Sequence, residues 1–266
     1  MKTNAIKLLL AAMIAANACT ALADNYGGCN PAISTLMENA SIIGRYETGA
    51  GMMPGDIAPL GKLPFRMKDL KRPVFKNATM TISHADIDSR GMITDAVNSK
   101  IEQLSRKGGG RLVIPEGHWL SGRLILKSGV DLHLDRGCTL EFSADINDYQ
   151  PALFTRHEGI EIMGAGAFIY AHKAKNIALT GQGTVMGPPM DAAMRRLKNG
   201  NSVVERDIDH RSPVASRICD GKEGRTFYRP KSFAPIDCRN VLVEGVTFER
   251  SVLWNINPIY CENVII

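Results

Sequence analysis

Several chemistries are missing from this 266-residue sequence. No Cys-x-x-Cys pair occurs, and the cysteines beyond residue 23 (Cys29, Cys138, Cys219, Cys238 and Cys261) are odd in number. They therefore give no metal site and imply no disulfide framework, and most are expected to be small buried hydrophobes. Neither a Gly-x-Ser-x-Gly elbow nor a phosphate-cradling Gly-x-x-x-x-Gly-Lys loop is present, which removes two common catalytic architectures. His157-Glu158 is followed by Glu161 and not by a second histidine, so the zinc-protease spacing fails and no metal or other cofactor is expected. The net charge of +5 is too mild to argue for a nucleic-acid partner. Beyond the first residues no apolar run approaches the roughly 20 residues a membrane-spanning helix needs. With 44% hydrophobic and 22% charged residues, the composition excludes a disordered or collagen-like chain.

What is present begins with a leader. Met1-Lys2 and Lys7 supply positive charge, Leu8 to Ala16 an apolar run, and Ala21-Leu22-Ala23 a small-residue cleavage site. The expectation is a signal peptide over 1–23, cleavage before Asp24 and a secreted or periplasmic product. The alternative is a bacterial lipoprotein anchored through Cys19, behind Ala16-Asn17-Ala18. Residues 24–81 carry five prolines and no periodicity, and read as an irregular N-terminal extension. Ile93, Val97, Ile101 and Leu104 then recur at helical spacing up to Arg106, and Gly108-Gly109-Gly110 stops the helix.

Past the glycines the chain changes to short β-branched runs separated by turns, none followed by a helix long enough for a βαβ crossover. The runs repeat themselves. Lys175-Asn176-Ile177-Ala178-Leu179-Thr180-Gly181 matches Arg239-Asn240-Val241-Leu242-Val243-Glu244-Gly245, and Glu262-Asn263-Val264-Ile265-Ile266 opens the phrase again. Cys238-Arg239-Asn240-Val241 and Cys261-Glu262-Asn263-Val264 lie about 23 residues apart, one turn of a parallel β-solenoid. In that geometry Asn176, Asn240 and Asn263 stack at a repeated turn where asparagine tolerates left-handed backbone, and the two cysteines form a ladder. Gly181-Gln182-Gly183 then marks a tight solenoid turn and not a dinucleotide loop. Between the first two phrases lies a polar insertion, 188–232, with ten Lys and Arg against six Asp and Glu and a short helix expected from Met190 to Leu197. Trp119 and Trp254 are either core or platforms for a sugar ring.

The run Gly108-Gly109-Gly110-Arg111-Leu112-Val113-Ile114-Pro115-Glu116-Gly117-His118-Trp119-Leu120-Ser121-Gly122, then Leu126-Lys127-Ser128-Gly129-Val130-Asp131-Leu132-His133-Leu134, then Thr155-Arg156-His157-Glu158-Gly159, resembles the opening half of the polygalacturonase-type enzymes, glycoside hydrolase family twenty-eight. The Asn176, Asn240 and Trp254 to Val264 phrases follow in that family's order. The resemblance implies an all-β fold, a right-handed parallel β-helix over 82–266 capped by the Ile93–Arg106 helix. It also implies hydrolysis of uronic-acid-rich pectic polysaccharide with inversion, one carboxylic acid protonating the leaving oxygen and one carboxylate activating water.

The family takes its aspartates from Asn-Thr-Asp and Asp-Asp phrases, completed by Gly-His-Gly and Arg-Ile-Lys, and this chain contains none of them. His118 is followed by Trp119, and Arg217-Ile218 by Cys219. No residue inherits a catalytic role. The expected substrate contacts are Arg156, Glu158, Trp254 and Asn257. The chain ends on apolar Val264-Ile265-Ile266, and an uncapped solenoid end exposes core and strand edge. The sequence therefore reads as an inactive, truncated product of four to five coils, roughly 23 residues each, that a downstream piece would complete. Two alternatives remain: a non-catalytic binder of acidic polysaccharide using the basic insertion, and a calcium-dependent lyase, for which only Asp207 and Asp209 offer ligands.

Overall fold

A computed structural model of the chain describes residues 70–196, 208, 209 and 211–266. The expected leader, most of the N-terminal extension, and residues 197–207 and 210 of the insertion lie outside the described residues. The rest is a right-handed parallel β-helix. Its longest sheet, A, stacks Thr79–Thr81, Gly110–Ile114, Val130–Leu134, Lys175–Gly181, Arg239–Glu244 and Glu262–Ile265 in that order. Sheet B stacks Gly117–Ser121, Cys138–Phe142, Thr184–Met186 and Thr247–Glu249, and sheet C stacks Leu124–Ile125, Ala167–His172 and Lys231–Ile236. Every pairing in these three sheets is parallel.

The register aligns like with like. Leu112, Leu132, Leu179 and Val243 sit one above another on sheet A, all buried, which converts alternation along each strand into a continuous apolar column. Inside the coils Phe142 stacks on Phe168 with ring centres 4.8 Å apart. Trp119 joins this core at 2% exposure, its indole N–H donating to the Pro115 carbonyl at 2.9 Å; it is no sugar platform.

The open start of the solenoid is closed by the helix Thr94–Arg106, with Ile93 as its buried cap residue and Val97, Ile101 and Leu104 turned inward. Asn98 on this helix serves the backbone of the first sheet C strand: its Nδ2 donates to Arg123 O, and its Oδ1 accepts from Ile125 N. Edge groups that would otherwise meet another chain are thereby satisfied. The extension proves partly ordered. Thr79–Thr81 already belongs to sheet A, so the solenoid starts before residue 82. Residues 70–78 run back toward the far end of that sheet, where Lys71 O accepts from Asn263 Nδ2 at 2.9 Å and Arg72 pairs with Glu244. Without strand-like alternation this segment gives no sequence signal, because its partners lie in the last coils.

The repeated asparagines form the expected ladder. Asn176, Asn240 and Asn263 have φ of 53°, 58° and 59°. Asn240 Nδ2 donates to Asn176 Oδ1 at 2.7 Å, and Asn263 Nδ2 donates to Asn240 Oδ1 at 2.8 Å. The middle member therefore carries two bonds and a left-handed backbone. Asn240→Ala should lower stability by about 2 kcal/mol, and Asn240→Gly should recover the backbone part, about 1 kcal/mol, while still lacking both bonds. Thermal melts of the two variants check this ordering.

Cys238 and Cys261 occupy neighbouring coils, since Arg239 faces Glu262, and both are free thiols, as are Cys138 and Cys219. Coil lengths are unequal. The step from Arg239 to Glu262 is 23 residues, but Asn176 to Asn240 is 64 and His133 to Thr180 is 47. The 64-residue step contains the basic insertion, whose expected helix is described over Ala193–Arg196, starting later than Met190, while Leu197 lies outside the described residues. The 47-residue step contains an antiparallel hairpin, Leu153–His157 with Ile160–Gly164.

Candidate functional site

The hairpin and the insertion emerge beside one another and meet at the start of sheet C. The tip of the hairpin is Glu158-Gly159, both at positive φ, so the strand can reverse within two residues. Its far edge pairs with Ile218–Cys219 from the insertion. The insertion then ends earlier than its polar composition suggests. Lys231 and Ser232 are buried strand residues of sheet C and not loop, because the next rung covers them: Ser232 N donates to Trp254 O, and Asn257 N donates to Phe233 O.

Three of the four expected contact residues are carried by this junction. Arg156 hydrogen-bonds through Nε to Gly159 O at 2.9 Å, and its guanidinium lies 5.5 Å from the ring centre of Tyr260. Trp254 is 45% exposed and lies nearly parallel to His157 at 6.5 Å, and His157 in turn stacks on Tyr228 at 4.4 Å. Asn257 holds its place through its backbone, leaving Oδ1 buried without a hydrogen-bond partner among the described residues. Glu158 stands at the hairpin tip, exposed, 3.9 Å from His157 Nε2. The residues that sequence reasoning passed over are His157, Tyr228, Arg229 and Lys231. A lysine opening an apolar run carries no local mark of burial.

Electrostatically the junction is cationic. Lys231 is 1% exposed; its Nζ donates to Arg156 O at 2.8 Å and to Thr155 Oγ1 at 3.3 Å, and no carboxylate among the described residues pairs with it. Burial pushes its ammonium down to about 8. Arg195 spends its guanidinium on the carbonyls of Pro188, Pro189, Ser251 and Arg250. His157 is pushed down to about 4, first by burial and then by the positive charges of Lys231 and Arg229.

A histidine neutral in the fold but protonated near pH 6.5 when unfolded contributes stability above pH 6.5 and loses it as the pH falls toward 4. The loss should reach roughly 2 to 3 kcal/mol. His157→Phe, which keeps the stack on Tyr228, should flatten the pH dependence of the denaturation midpoint in that window.

An exopolygalacturonase from Thermotoga maritima superposes with a TM-score of 0.63 and 30% identity, over 74% of this chain and 47% of that one. The chain has the polygalacturonase-type fold. A glycosyl hydrolase structure from Parabacteroides merdae, at 22% identity, and a family 28 exopolygalacturonase from Yersinia enterocolitica, at 21%, share the fold with TM-scores of 0.50. Each matches 71% of this chain, and they are covered to 74% and 38% of their own lengths. The chain thus spans less than half of the Thermotoga structure. No protein-family model matches the chain, and no curated relative does.

Within the polygalacturonase-type fold, the near-misses to the family's phrases have structural tasks. His118 lies on sheet B, with Nε2 2.7 Å from Glu141 Oε2. Arg217 ties the insertion to the hairpin through Ser212 O and Glu161 O. Asp209 turns its carboxylate onto the Arg211 N–H, and among the described residues no three His, Cys, Asp or Glu converge on a point where a metal could bind.

Proposed function

We propose that the chain serves the hydrolysis of pectic, uronic-acid-rich polysaccharide, and that these residues build the scaffold and the substrate-contacting wall of the cleft. The observation that carries this reading is the junction at the start of sheet C. There an exposed tryptophan stands beside Arg156 and Lys231, cations without carboxylate partners among the described residues, in a fold shared with an exopolygalacturonase at 30% identity. An acidic sugar polymer offers an apolar ring face for Trp254 and a carboxylate for Arg156, with buried Lys231 adding positive potential and no direct contact. Secretion behind the 1–23 leader would bring the protein to a polymer that does not cross membranes. The inverting mechanism needs an acid and a base on opposite faces of the sugar ring. The family's paired aspartates are not among these 266 residues, so this chain on its own should bind and not cleave.

The experiment is affinity electrophoresis in gels containing polygalacturonate at rising salt, run beside an assay for released reducing ends. Retardation that fades with salt, with no reducing ends, is the expected result. Absence of retardation at every salt concentration would overturn the proposal. Efficient cleavage would show that acid and base come from residues other than the family's. The non-catalytic binder reading rests on the same cations and predicts the same retardation. It gains over the hydrolase reading only if supplying the family's missing phrases downstream restores no cleavage.

A further inference from the structure

Trp254, His157 and Tyr228 form a column of near-parallel rings, and Arg229 follows Tyr228 directly in the chain, two residues before buried Lys231. The other described arginines nearby are each at least partly engaged. Arg195 is spent on backbone carbonyls, Arg250 bonds Glu141 at 2.7 Å, and Arg156 is held by Gly159 and Tyr260. Arg229 is half-buried and makes no hydrogen bond or ion pair with another described residue. A guanidinium held part-way out of water without an acceptor is poised for an anionic one, and its planar fork suits a carboxylate.

The geometry points to Arg229 as the residue that reads the carboxylate of a uronate whose ring lies on Trp254, at a junction that also holds the buried charge of Lys231. Arg229 is thus a specificity-determining group, distinguishing acidic from neutral sugars, while the ring column supplies affinity that ignores charge. The assignment deepens the uronide reading above and rests on it. Not every basic residue of the insertion is available for this. Arg225, for example, is already paired with Asp220 and Glu223 at 2.8 and 2.6 Å.

The test is calorimetric titration of the full chain with a galacturonate oligomer and with its carboxyl-reduced, neutral counterpart of equal length. Arg229→Gln and Arg225→Gln are compared with the parent. For Arg229→Gln, affinity for the acidic oligomer should fall about tenfold and its salt dependence should weaken, with neutral-oligomer affinity unchanged. Arg225→Gln should match the parent. An equal loss for both oligomers in Arg229→Gln, no loss for either, or the same loss in Arg225→Gln would overturn the assignment. If the parent itself binds neither oligomer, the uronide reading fails first, an outcome distinct from all three. Melting temperatures of both variants are recorded alongside: Arg229→Gln should stay close to the parent, and Arg225→Gln, which takes the ion partner from nearly buried Asp220, should melt lower but remain folded at the titration temperature.

Discussion

Replacing Gly181 by alanine should abolish cooperative folding or cost 4 kcal/mol or more, on the order of the largest core truncations. Gly181 closes the sheet A strand at φ of +114°, where a side chain is strained. More decisively, a Cβ there would sit 1.9 Å from the carbonyl oxygen of Leu134 in the preceding coil. That oxygen is fixed: it accepts from Gln182 N at 2.9 Å and Gly183 N at 3.2 Å, so it cannot retreat without breaking the corner. Gly224→Ala provides the comparison. Its φ is +76° but nothing lies within 4 Å of the added carbon, so it should cost only the backbone strain, about 1 kcal/mol. Urea denaturation of the two variants separates collision from strain. Equal, small losses would show that the coils shift apart more easily than the hydrogen-bonded corner implies.

The second large effect is expected at Arg123. It is only 4% exposed, and no carboxylate among the described residues pairs with it. Instead Nη1 donates to Tyr149 O at 2.7 Å and Ala165 O at 3.3 Å, and Nη2 donates to Pro151 O at 2.7 Å. Three carbonyls, two beside the Ile146–Tyr149 turn and one at the foot of the hairpin, thus share one guanidinium. Burial lowers it to about 10, which leaves it charged at neutral pH. Arg123→Met fills the volume but strands all three acceptors, a loss of about 3 to 5 kcal/mol. Arg123→Lys, with a single ammonium in place of a fork, should recover only part of it. Thermal melts should rank parent, lysine variant and methionine variant in that order. Because the hairpin foot is held by this group, the methionine variant should also weaken binding of an acidic oligomer through displacement of Arg156.

The two residues differ in how far the sequence announces them. Gly181 ends the phrase that recurs at Gly245, and the recurrence alone places it at a solenoid corner. The asparagine ladder is visible for the same reason: Asn240 and Asn263 are 23 residues apart, so stacking is nearly a local property. The capping helix is equally plain, since Val97, Ile101 and Leu104 repeat within a single segment. Arg123 and Lys231 give no such sign. Each stands beside apolar residues as a surface cation would, and each is buried only because elements far away in the chain close over it. Arg123 is closed in by the Ile146–Tyr149 turn and the hairpin, and Lys231 by the hairpin and the 254–259 segment. Of the residues at the proposed contact wall, Arg156, Glu158, Trp254 and Asn257 were expected from their phrases, whereas Arg229 stands out only in the packing.

The sequence by itself determined the repeating unit: which residues face inward, where the corners fall and what seals the first coil. These follow from short-range periodicity and from backbone conformations that only glycine or asparagine adopts at low cost. The tertiary structure alone decided the site. The hairpin and the basic insertion interrupt the repeat, so nothing in their spacing says that they rise from neighbouring corners. Only the stacking of coils of unequal length brings Arg156, Arg229, Lys231 and Trp254 to one junction and leaves its cations without carboxylate partners among the described residues.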